Sequence, residues 1–81
     1  MYLHIGKDIM IKENDIIGIF DIESIKNTEE YENIQKKLKE KNRLIEISEN
    51  TKKTLILLLE NKEIKGYITN ISSVTLCNRI L

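Results

Sequence analysis

Two short runs govern what this chain can fold into. Ile16-Ile17-Gly18-Ile19-Phe20-Asp21-Ile22 and Leu55-Ile56-Leu57-Leu58-Leu59 carry apolar side chains at successive positions. Strands made from them are therefore apolar on both faces. A chain of 81 residues has little else with which to cover two faces. Burying one more Leu or Ile contributes about 1.5–3 kcal/mol, and leaving several in water invites aggregation. One amphipathic helix and a short terminal one would cover only one side of such a sheet. The expectation is that a second copy covers the other, giving a homo-oligomer.

The remaining punctuation places the elements. Residues 2–5 and 9–11 read as short strands around a Gly6-Lys7-Asp8 turn, and Glu13-Asn14-Asp15 turns the chain into the strand 16–22. Asn27 and Glu30 have capping-box spacing, and Tyr31, Ile34 and Leu38 form one apolar stripe. Lysines 36, 37, 39 and 41 complement the negative end of a helix dipole, so the spacing predicts a helix over 28–41, stopped at Asn42. Residues 44–48 read as a strand. The run 54–60 suits either a buried helix or a strand. Its shortness, the turn-like Asn61-Lys62 and the following run 64–69 favour a β-hairpin. A last helix from Ser72 would bury Val74, Cys77, Ile80 and Leu81. The order is βββ-α-βββ-α over a single domain, 1–81: an α+β fold with a small, mostly antiparallel sheet, one central helix and a short C-terminal helix.

Composition narrows the class. A hydrophobic content of 41% supports a globular core, while no Trp, no Pro and a single Phe make that core aliphatic. One cysteine forms no internal disulfide and fits a reducing cytoplasm. No secretory leader or membrane-spanning run is expected, so the expected location is cytoplasmic. Net charge is zero but unevenly spread. Residues 1–30 carry three Lys against seven Asp and Glu, whereas residues 31–81 carry ten Lys and Arg against six Glu. The densest basic stretch runs from residue 36 to residue 53. Local field rather than total charge decides phosphate binding, although a solvated lysine-rich helix is the commoner meaning of such a run.

Catalytic chemistry finds little support. His4 lacks the clustered His, Cys and carboxylate partners of a metal site or an acid–base pair, so a structural or surface role is expected. Cys77 reads as buried filler on the last helix. Asp15, Asp21 and Glu23 lie on or beside one strand, with Asp21 and Glu23 on one side of it. Solubilising charge at a strand edge explains them better than acid–base or cation chemistry. Three glycines leave no phosphate-cradling loop. No enzyme activity, cofactor, metal, membrane contact or small-molecule substrate is expected. What remains is the basic loop Lys52-Lys53, with Arg43 before it and Arg79 in the last helix. Repeated around an oligomer, two lysines per subunit become a ring of positive charge, and multiplicity turns weak phosphate contacts into measurable affinity.

The segments YLHIG at 2–6, NDIIGIFDIES at 14–24 and ISSVTLCNR at 71–79 resemble the small bacterial regulators of extracellular-matrix genes called RemA and RemB, more closely the RemB branch. The resemblance implies a LytTR-like subunit, ring-like oligomers, and DNA binding that activates biofilm-matrix transcription. The arginine-rich loop of the RemA branch falls on residues 51–54, where Lys52 and Lys53 keep the charge but lose the bidentate geometry of arginine. A further family arginine corresponds to Asp15, which would set a like charge near phosphate. The reading is a non-enzymatic, oligomeric transcriptional regulator that binds DNA weakly through Lys52, Lys53 and Arg43. The alternative is an oligomeric protein-interaction module without DNA binding.

Overall fold

The computed structural model describes residues 1–80, and Leu81, expected on the buried side of the last helix, lies outside them. The chain opens with β1 (Tyr2–Gly6) and β2 (Ile9–Lys12), which pair only with each other. Lys7 and Asp8 at the turn both have positive φ, and Gly6 has φ 121°, a value that only glycine adopts without strain. One 3-10 turn over Glu13–Asp15 leads into β3 (Ile16–Asp21). A four-residue helix α1 (Ile22–Ile25) and the main helix α2 (Glu29–Glu40) follow. Then come β4 (Leu44–Glu46), β5 (Thr54–Glu60), β6 (Glu63–Thr69) and α3 (Ser73–Ile80).

The last four strands form one sheet in the order β3-β5-β6-β4. β5 is antiparallel to both neighbours, but β4 runs parallel to β6, so the sheet is mixed rather than antiparallel throughout. The reason is the connection: β4 follows the long helix α2, which carries the chain back across the sheet before pairing. β4 covers only Leu44–Glu46 of the expected 44–48, because Ile47 turns inward to the core.

Both faces of β5 are covered within one subunit, which corrects the expectation that the chain's own elements cover only one side of it. Leu55 and Leu57 pack with Ile22, Tyr31, Leu38 and Ile68 under α1 and α2. Ile56 and Leu58 pack on the opposite side with Leu3, Ile5, Ile11, Ile47, Tyr67 and Leu76. The β1–β2 hairpin leaves the main sheet and lies over it as a separate layer, with α3 beside it. Sequence spacing had counted those strands as sheet, not as cover. What stays exposed of the two apolar runs is smaller: Ile17 is 55% exposed and Phe20 39% on the edge strand β3, and Leu59 48% at the end of β5.

Helix details also shift. The strand expected over 16–22 stops at Asp21, and Ile22 instead begins α1, buried against the α2 layer. Thr28, not Asn27, caps α2: its Oγ1 accepts the Tyr31 N–H at 3.2 Å. The far end behaves as expected. Asn42 takes a left-handed conformation, Asn42 N–H donates to Lys39 O, and Arg43 N–H donates to Leu38 O, which together satisfy the terminal carbonyls. In α3 the buried residue is Leu76; Val74 and Cys77 are exposed, so Cys77 is not core filler. The inward stripe of α3 runs through Leu76 and Ile80, a spacing of four, and Val74 and Cys77 fall off it.

Candidate nucleic-acid interface

Lys52 and Lys53 end the segment joining β4 to β5, and its geometry begins with two threonines. Thr54 and Thr69 are paired residues at the same end of β5 and β6, both fully buried. Thr54 Oγ1 donates to Ile71 O and Thr69 Oγ1 donates to Ile5 O, each at 2.7 Å. Directly beside them the Lys53 main chain is held on two sides: its N–H donates to Thr69 O at 3.0 Å, and its carbonyl accepts Ile22 N–H at 2.9 Å. The lysines therefore stand on the fixed end of the sheet rather than on a loose loop.

The two side chains differ in availability. Lys52 Nζ is 3.1 Å from Glu46 Oε1, whereas Lys53 is exposed and, among the described residues, has no ion-pair partner. Tyr31 shares this neighbourhood. Burial raises its phenol pKa above the ordinary 10.0, with Lys52 pulling it down and Glu46 pushing it up. A shallow groove of about 370 Å³ passes the lysines, lined also by Asp21, Glu23, Ser72, Ser73 and Val74. Ser72 Oγ accepts Thr75 N–H at 3.2 Å and caps α3, and Ser72 and Ser73 put the start of that helix on the groove wall. Glu23 pairs with Lys26 at 3.0 Å, and Asp21 accepts the Ser24 hydroxyl at 2.9 Å. Cations, a helix start and two partly compensated acids thus meet at one rim. It can attract an anionic backbone but offers no projecting helix or fork of donors for reading bases.

Arg43 does not join this cluster. It lies at the other end of β5, where its Nε donates to Ile64 O at 2.9 Å and a terminal nitrogen donates to Glu60 O at 3.2 Å. Glu60 and Glu63 flank it at 3.9 and 3.6 Å. The seven-residue strand between the two ends spans about 20 Å. Arg43 is a brace for the β5–β6 turn, and its closeness to Lys52 in sequence misled because β4 carries the chain across the sheet. Asp15 sits at that far end too, in a recess with Leu59, Glu60 and Asn61, so within one subunit it does not oppose Lys52 and Lys53. Arg79 donates to His4 O at 3.0 Å and ties α3 to β1. Glu23 is on α1 rather than on the strand with Asp21, yet both border the lysine groove.

Sequence spacing did not connect Asp21, Glu23, Ser72 and Ser73 with the lysines. The available signals were the capping pattern Ser72-x-x-Thr75 and the threonines at the first and last positions of the β5–β6 hairpin. Among the described residues no group of three or more His, Cys, Asp or Glu stands close enough to hold a metal ion, and no helix is long and apolar enough to cross a membrane.

Comparison with known proteins agrees with the resemblance carried by residues 2–6, 14–24 and 71–79. No curated protein matches the chain. The family described as RemA-like, Extracellular matrix regulatory protein A-like, matches residues 2–80, nearly the whole length, and it is a family of regulatory proteins rather than a known enzyme family. The chain therefore belongs to the RemA-like family of extracellular-matrix regulatory proteins.

Proposed function

We propose that this protein is a non-enzymatic, DNA-associated transcriptional regulator of extracellular-matrix and biofilm genes, and that it acts as a homo-oligomer, arranged as a ring. Lys52 and Lys53 contact the phosphate backbone; Arg43, braced against Glu60 and Glu63, is no part of the contact. The observation that carries this reading is the Lys52-Lys53 rim, fixed through the Lys53 main chain and bordered by the start of α3. Helix starts and lysines both favour phosphate oxygens.

Each subunit binds weakly, because Glu46 occupies Lys52 and two acids line the same groove. Assembly compensates, since repeated weak sites on one duplex act together. The support for assembly is the free edge of β3, which displays Ile17 and Phe20 and leaves main-chain groups without a strand partner on that side. A second reading, an oligomeric protein-interaction module without DNA contact, is favoured by Asp21 and Glu23 beside the lysines.

Titration of fluorescein-labelled duplex DNA across salt concentrations, with particle mass measured in the same buffer, separates the two. The first reading expects a log–log salt slope of about −2 per engaged subunit and loss of binding in Lys52→Ala/Lys53→Ala. An oligomer that ignores duplex at low salt would hand the case to the second reading. A monomer at micromolar concentration would remove both.

A further inference from the structure

A second cationic surface lies at the far end of the sheet from Lys52 and Lys53. The second half of α2 and the β5–β6 turn border an open groove of about 530 Å³ whose apolar lining is Ile34, Leu38 and Ile64. It is also lined by Lys37 from the helix, Lys41 from the helix C-cap and Lys62 from the turn. The Lys41 N–H donates to Lys37 O at 3.3 Å, so the two lysines stand one turn apart at the end of α2. Lys62 is placed by a left-handed turn, with φ 67°. Among the described residues none of the three has an ion-pair partner, and Glu63, the one acid at the groove, is held 3.6 Å from Arg43. Ile64 stays 41% exposed on an otherwise well-covered strand.

We infer that this groove is a docking site for an acidic amphipathic segment of a partner protein, whose apolar side chains enter between Ile34 and Ile64 while its carboxylates meet Lys37, Lys41 and Lys62. Charge fixes the sign of the partner, since three uncompensated ammonium groups select an anionic ligand. The apolar lining fixes its class. Phosphodiester backbones use the lysines but make no use of the aliphatic lining, and nucleic-acid interfaces are polar. A bilayer presents a flat surface, whereas these apolar groups line a concave groove. An amphipathic helix laid into a groove uses both features. The site is about 20 Å from the Lys52-Lys53 rim along β5, so both can be occupied together, and the assignment stands whether or not the rim binds DNA.

The test uses the full chain and a fluorescein-labelled synthetic helix of leucine and glutamate, with the leucines on one face. Saturable binding is expected, weakened about tenfold in Lys37→Glu/Lys41→Glu and about tenfold for a peptide of the same composition scrambled to have no apolar face. Lys62→Glu, on an exposed turn, provides a second variant should the helix pair disturb folding. Equal binding of the scrambled peptide, or undiminished binding by both variants, would overturn the assignment. So would a smaller particle mass in the variants, which would give the groove to a second copy. Selective loss of duplex DNA binding would give it to nucleic acid. Loss of cosedimentation with phosphatidylglycerol vesicles would give it to a membrane.

Discussion

Thr54 and Thr69 face each other across β5 and β6, and each hydroxyl is spent on a carbonyl of a different element, Ile71 before α3 and Ile5 in β1. Thr69 Oγ1 also accepts the Ile71 N–H at 3.2 Å. One polar pair in an aliphatic interior therefore joins the hairpin layer, the sheet and the start of the last helix. The Lys52-Lys53 rim rests on that junction.

Replacing Thr69 by Val keeps the shape but strands the Ile5 carbonyl and the Ile71 N–H. The expected loss is about 1–3 kcal/mol of stability, read from urea denaturation. An unchanged midpoint would mean that the hydroxyl bonds are not what holds this junction.

Arg43 and Lys53 should separate cleanly. Arg43→Ala removes two hydrogen bonds and two ion pairs from the β5–β6 turn, for an expected destabilisation of about 1–2 kcal/mol with duplex affinity unchanged. Lys53→Ala should leave stability within about 0.5 kcal/mol and lower duplex affinity. Parallel denaturation and anisotropy titrations check both, and a fall in duplex affinity for Arg43→Ala would return that residue to the interface.

Glu46 restrains Lys52 through their 3.1 Å contact. Glu46→Gln frees the ammonium and removes a negative charge from the rim. Duplex affinity at low salt should rise about threefold, with the gain fading as salt is added. Tighter binding that persisted at high salt would point to a rearranged loop instead.

Tyr31 gives a pH signature. Its phenol is raised above 10.0 chiefly by burial, so the folded chain holds that proton more tightly than the unfolded one. The resulting stability is fully present below the unfolded value and is lost as pH rises through the folded value. Tyr31→Phe removes this dependence. Its stability relative to the parent should therefore improve above pH about 10 and stay constant below. Denaturation curves across alkaline pH decide it.

Much of the architecture was legible along the chain because the signals are local. Gly6-Lys7-Asp8 and Asn61-Lys62 mark turns that need positive φ, and all five residues adopt it. Asn42 ends α2 by the same property. Tyr31, Ile34 and Leu38 turn one face of α2 inward because their spacing matches the helix period. Three segments, at 2–6, 14–24 and 71–79, sufficed to point to the RemA-like family.

Tertiary structure decided the rest, because each remaining question concerns residues brought together across the sheet. Whether 55–59 is sheltered depends on where residues 2–12 go, and they form a separate layer over β5 that no local period encodes. Whether Arg43 stands with Lys52 depends on the parallel pairing of β4, which sends the two to opposite ends. Periodicity fixes which side of an element is apolar, but the partner that covers it is set by long-range packing. For that reason the lysine rim beside Ser72 and the lysine groove above Ile64 became visible only in the folded chain.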